Sequence, residues 1–173
     1  TLFRSNNDGT VESKQTFQGK NDDSSWARGQ AWAIYGYTAC FRETNDSIFL
    51  NFAKDIANMI MDRVKTEDAI PYWDYDAPVT KETPRDVSAA SVTASAMIEL
   101  STMVPDGQKY LDYAEKILKS LSSDAYLAKV GDNQGFILMH SVGSLPNGSE
   151  IDTPLNYADY YYLEALKRFM ELK

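Results

Sequence analysis

Between Trp26 and Trp32 the run Trp-Ala-Arg-Gly-Gln-Ala-Trp sets two indoles, a guanidinium and a carboxamide within two helical turns. A helix that only fills a core carries Leu, Ile and Val at such positions. Indole rings stack on the apolar face of a sugar, and Arg offers a planar fork to a carboxylate or to hydroxyls, so these residue types can recognise carbohydrate. Arg28 also stands in the first turn, where the helix macrodipole disfavours a cation. Asp22 and Asp23 could neutralise it in a purely structural arrangement, with Trp26 and Trp32 as core. A local rule broken in this way is expected at a functional site more often than elsewhere.

Other residues capable of chemistry are scattered. Residues 71–76, Pro-Tyr-Trp-Asp-Tyr-Asp, combine aromatics with carboxylates, so Trp73 is a candidate sugar contact or a plug at a rim. Asp74, Asp76, Asp152 and Asp159 could supply a carboxylate pair of the glycosidase kind, which sequence spacing does not test. Asp86 suits a helix cap better than a catalyst. His140, near Ser141, Gly143 and Ser144, is a structural imidazole or a rim contact. As the only histidine it leaves no His pair for a metal. Cys40 lies in an apolar helical run and is expected to be a small buried hydrophobe. A single cysteine excludes an intrachain disulfide framework and a sulfur-based metal cluster.

The elements that must position these groups come from composition and periodicity. A chain of 173 residues, 43% hydrophobic, has the size and character of one globular unit, taken here as residues 1–173. Its net charge of −8 argues against a nucleic-acid or anionic-membrane surface, leaving an anionic ligand only a local pocket. Neither an apolar run of membrane length nor a signal peptide is visible. The first residue is Thr1 and the chain opens in strand-like sequence, so residues are expected upstream of it.

Residues 2–4 and 10–17 alternate around Asn6-Asn7-Asp8-Gly9 and predict a short hairpin. Helices are expected over 26–42, 47–64, 87–103, 108–121 and 155–172, with Pro154 in the first turn of the last. Residues 136–139 read as a short extended segment. The first, third and last helices look buried nearly all round, whereas the second and fourth have a wet face. An inner ring covered on both sides and an outer ring facing water require this alternation. Short turns at 44–45 and 105–107 lead from inner to outer helices. The long segments 19–25, 67–85 and 127–154 precede inner helices and should converge on one mouth; loops of such length are usually functional.

Residues 23–36, Asp-Ser-Ser-Trp-Ala-Arg-Gly-Gln-Ala-Trp-Ala-Ile-Tyr-Gly, resemble the unsaturated glucuronyl hydrolases, glycoside hydrolase family 88. Arg85-Asp86-Val87-Ser88-Ala89-Ala90 is similar to that family's Asp-Ser-Ser-Ala-Ala segment, and residues 148–161 agree as well. The resemblance implies an all-α, (α/α)6 barrel of which this chain is about half, the C-terminal half, with a short N-terminal β-hairpin. It implies removal of the unsaturated uronic acid from the non-reducing end of lyase-generated, glycosaminoglycan-type oligosaccharides. In the family an aspartate hydrates the C4–C5 double bond, and the hemiketal collapses with loss of the sugar, without metal or organic cofactor.

By the same resemblance Gln18, Trp26, Arg28 and Trp32 line the substrate pocket, while Ser144 and Ser149 are candidates on a loop that meets sulfated sugars. No catalytic residue is expected in the chain: the aspartates should lie upstream of Thr1, and the fragment alone should be inactive. The implied partners are the oligosaccharide and the N-terminal half of the barrel. Half a barrel should leave inner helices uncovered, and a second copy could cover them as a homodimer. The compartment is open, bacterial cytoplasm or periplasm. Unsaturated rhamnogalacturonyl hydrolases share the barrel but tend to have Arg-Gly-Asn-Gly-Trp where this chain has Arg28-Gly29-Gln30-Ala31-Trp32. A non-catalytic helical-repeat module would show self-similarity at a fixed period, and none is found beyond the alternation of helix types.

Overall fold

A computed structural model describes residues 2–172, with side chains from Ser5 to Leu172. The hairpin forms as β1 (Leu2–Ser5) and β2 (Val11–Gln15), antiparallel, with a bulge after Arg4. Gly9, at φ +85°, makes the turn that a Cβ would strain. The side-chain alternation expected at 2–4 lies outside the described side chains. Five helices follow: α1 (Ala27–Thr44), α2 (Ser47–Arg63), α3 (Val87–Ser101), α4 (Gln108–Leu121) and α5 (Asn156–Glu171).

Small residues decide the centre. From Val87 to Ile98 every side chain of α3 is buried, and Ala89, Ala90, Ala94 and Ala96 let α1, α4 and α5 all pack against this one helix. The outer helices behave as their periodicity predicts. On α4 Tyr110, Ala114, Ile117, Leu118 and Leu121 are buried while Asp112, Lys116 and Lys119 stay wet. Helix α2 buries Ala53, Ala57 and Ile60, while Phe52 is exposed and stacks on Tyr37 at 5.2 Å.

Inner helices α1, α3 and α5 run parallel, as side-chain contacts at successive levels show. At one end Arg28, in the first turn of α1, pairs with Asp86, the cap of α3, and lies 5.5 Å from the ring of Tyr157 in the first turn of α5. Midway, Glu164 accepts from Tyr35 at 3.1 Å and from Ser95 at 2.5 Å. At the far end Glu99 pairs with Arg42 at 2.5 Å and with Arg168 at 2.8 Å. Burial together with the Glu164 carboxylate pushes the Tyr35 phenol up to about 12.

Three expectations are corrected, on Cys40, on residues 127–154 and on Pro154. Cys40 is exposed, not buried, because the flank of α1 that carries Gly36 and Cys40 has no described helix against it. The matching flank of α5 exposes Tyr160 (60%), Leu163 and Met170 (74%), so the uncovered surface belongs to the two end helices and α3 is sealed. Residues 127–154 are also not a plain loop. They contain a second antiparallel hairpin, β3 (Ser141–Ser144) with β4 (Ser149–Thr153), and the extended 136–139 segment contributes only the isolated bridge between Leu127 and Leu138. Pro154 stands before α5, whose cap is Leu155. No described helix is long and apolar enough to cross a membrane.

Candidate functional site

The three long segments meet at the N-terminal ends of α1, α3 and α5, and backbone hydrogen bonds hold them there. A helix begins with amides that have no partner inside it. Trp26 caps α1 without a side-chain acceptor, so the Ala27 amide donates to the carbonyl of Trp73 at 3.1 Å, while Tyr75 N donates to Ser25 O at 3.0 Å. In the same way Val87 N, at the start of α3, donates to His140 O at 3.2 Å. The segment 67–85 is thereby stitched to α1, and the approach to β3 is stitched to α3.

Arg28 is the centre of this mouth. It is 2% exposed, and its Nη1 donates to Asp86 Oδ2 at 2.8 Å, to Ser88 Oγ at 3.3 Å and to the carbonyl of Val142, while Nη2 donates to the carbonyl of Gly143. Neither Asp22 nor Asp23 neutralises it: Asp22 accepts from Thr16 N at 2.8 Å. The first-turn cation is tolerated because a fully buried carboxylate from another helix compensates it. Asp86 in turn caps α3, accepting from Ser88 N at 3.1 Å, Ala89 N at 3.4 Å and Ser88 Oγ at 2.6 Å. Burial pushes the Asp86 carboxyl above its ordinary value, against the pull of Arg28 and Ser88.

Around the guanidinium lies a run of rings. Arg28 Cζ is 4.7 Å from the Trp26 ring centre and 5.5 Å from that of Tyr157. Tyr157 is 6.3 Å from Trp32, and Trp32 meets Tyr161 edge-on at 5.1 Å. Gly29 makes the arrangement fit: a Cβ there would come within 2.7 Å of Trp26 Cε3, so the indole folds back over α1 only if residue 29 has no side chain. Burial and the carboxylates of Asp86 and Glu150 raise the Tyr157 phenol, with Arg28 opposing. Tyr157 is the residue that sequence reasoning missed as part of the site. Its signal was helical spacing, one turn from Tyr160 and Tyr161, which reads equally as core.

The other candidates divide. Gln18 joins Arg28 on the same acceptor, its Nε2 donating to Gly143 O at 2.8 Å. The β3 strand is thus held by two side chains, Arg28 of α1 and Gln18 of the segment that precedes it. Trp73 is the rim plug: only 6% exposed, it packs with Ala77, Val142 and Trp26, which leaves no free ring face for a sugar. Ser144 and Ser149 are cross-strand partners in the second hairpin. Ser144 is buried, with its hydroxyl accepting from Asn147 Nδ2 at 2.7 Å, and Ser149 is exposed. His140 sits with Nδ1 2.6 Å from Asp152 Oδ1, in a partly exposed pair.

Asp74, Asp76 and Asp159 are all engaged by donors. Asp74 is buried and accepts from Lys20 N, Ser24 Oγ and Asp76 N at 2.7 to 2.9 Å. Asp76 takes Ser25 N at 2.9 Å and Arg63 at 2.6 Å, which hold its carboxyl below the usual range. Asp159 accepts from Ile137 N and Leu138 N at 2.8 and 2.9 Å. Among the described residues there is no group of three or more His, Cys, Asp or Glu that could hold a metal ion.

No protein-family model matches the chain. An unsaturated glucuronyl hydrolase from Formosa agariphila is 47% identical over 165 residues, 95% of this chain and 41% of that protein. A crystal structure of an unsaturated glucuronyl hydrolase specific for heparin superposes with a TM-score of 0.95 and 55% identity, over 98% of this chain and 46% of that one. A variant of the Streptococcus agalactiae unsaturated glucuronyl hydrolase complexed with dGlcA-GalNAc6S superposes with a TM-score of 0.85 and 33% identity, over 98% of this chain and 45% of that one. The chain spans less than half the length of each. Over that share of their length the chain is similar in sequence and in fold to the unsaturated glucuronyl hydrolases.

Proposed function

We propose that this chain is the C-terminal part of an (α/α)6 barrel and forms one wall of a site that removes a Δ4,5-unsaturated uronic acid from the non-reducing end of glycosaminoglycan-type oligosaccharides. The observation that carries this reading is the Trp26–Arg28–Tyr157–Trp32 strip at the mouth where all three long segments converge. In it Trp32 and Tyr157 offer ring faces to the sugar. Arg28 has a different role from the one its residue type suggests: with both terminal nitrogens bound to Asp86 and the β3 carbonyls, it fixes the rings and the hairpin and places positive charge behind the wall.

Hydration of the C4–C5 double bond needs a group that protonates C4 and takes a proton from the water attacking C5. The resulting hemiketal then opens and the remaining sugar leaves. Asp74, Asp86 and Asp159 are each engaged by backbone or hydroxyl donors, which supports assigning the acid–base step to carboxylates in the rest of the barrel.

Steady-state kinetics on an unsaturated disaccharide, with the protein carrying the whole barrel, test the assignment. Trp32→Ala should lower kcat/KM by roughly tenfold or more, about 1.4 kcal/mol of transition-state binding, with little change in Tm. A lower Tm with unchanged kinetics would make the rings core and nothing more.

A further inference from the structure

Beside the mouth, between the end of α2 and the segment 67–85, lies a cavity of about 350 Å³ that the site above does not use. Arg63, Lys65, Tyr72, Tyr75, Val79 and Arg85 line it. None of Trp26, Arg28, Trp32 and Tyr157 lines it, and Tyr72 on its wall packs in the same cluster as the buried Trp73.

Its chemistry differs from that of the rest of the molecule. In a chain of net charge −8, the charged side chains on this lining are three cations and Asp74, and Asp74 already accepts three hydrogen bonds. Arg63 is held by Ser25 Oγ at 3.2 Å and Asp76 at 2.6 Å, and Arg85 by Asp68 and the carbonyl of Ile70, so each guanidinium is fixed and keeps further N–H donors. Lys65 touches only Asp62, at 3.2 Å, and is largely exposed. Arg85 lies 4.4 Å over one face of Tyr72. Tyrosine rings and apolar walls suit the apolar face of a pyranose, and oriented cations suit a carboxylate or sulfate on it.

We propose that this cavity is a second carbohydrate site that binds a single anionic sugar unit, uronate or sulfated hexose, independently of the catalytic wall. It rests on residues 63–85 alone, so it stands or falls separately from the proposed activity.

Isothermal titration of the protein with glucuronic acid, glucose 6-sulfate, glucose and inorganic sulfate tests it, on the native chain, on Trp32→Ala, which weakens any binding at the aromatic strip, and on Lys65→Glu and Tyr72→Ala made in that background. The expected result is binding of one or both acidic sugars, at least tenfold tighter than glucose or sulfate ion. Made in the Trp32→Ala background, Lys65→Glu and Tyr72→Ala should each weaken it at least fivefold. Preference for the uronate or for the sulfated sugar then says which anion the cations were placed for. Equal affinity for glucose, equal affinity for free sulfate, or indifference to Lys65→Glu, whose exposed position makes misfolding no explanation, would each overturn the proposal.

Discussion

Replacing Arg28 with Met keeps an unbranched apolar stem and removes the guanidinium with its charge. Asp86, 0% exposed, then has no cation, and the carbonyls of Val142 and Gly143 lose a donor. Removing one partner of a buried ion pair costs roughly 3–5 kcal/mol, because the other charge stays behind without compensation. For a chain of this size that corresponds to a Tm lower by roughly 6–20 °C, at about 2–4 °C per kcal/mol. The loss should depend on pH. Folding raises the Asp86 carboxyl, through burial, above its unfolded value. The contribution of such a group is fully present below the unfolded pKa, about 3.9, and is lost as pH rises through the folded pKa. Without Arg28 the carboxyl rises further, so the variant should fall least short of the native chain near pH 4 and most at neutral pH. Thermal unfolding of both proteins across this range is the assay. A deficit under about 1 kcal/mol, or one that does not shrink on acidification, would refute the reasoning.

Three smaller perturbations follow from the same geometry. Gly29→Ala should gain about 1 kcal/mol from helix propensity alone; since a Cβ meets the Trp26 ring at 2.7 Å, thermal unfolding should instead show a net loss. Cys40 is exposed and should react with a thiol reagent in the folded chain without denaturant; no reaction until denaturant is added would contradict its exposure. Gly143→Ala would bring a Cβ within 2.6 Å of Glu150 Cβ, so amide exchange along β3 and β4 should accelerate as the hairpin shifts.

Local pattern made much of the fold legible. The Asn6–Gly9 turn, the small-residue density of α3 and the one-sided stripe of α4 each act within a few residues, and each formed where periodicity placed it. The second hairpin was also legible, since Asn147-Gly148 between Ser-Val-Gly-Ser and Ser-Glu-Ile-Asp-Thr is a strong turn signal, but the length of the surrounding segment obscured it. What no window could reveal is the partner of Arg28. Asp86 lies 58 residues away and Val142 lies 114 away, so the choice between a sugar-binding fork and a structural node is made only by packing. Cys40 failed for a related reason: an apolar helical run predicts burial only if something covers that flank.

A crystal structure of the protein carrying the whole barrel, with an unsaturated uronate disaccharide bound, tests the central claim most directly. The expected result is the uronate ring in van der Waals contact with Trp32 or Tyr157, with Arg28 still on Asp86 behind the wall. A sugar bound away from these rings, with Trp32 and Tyr157 sealed by the other half of the barrel, would contradict it.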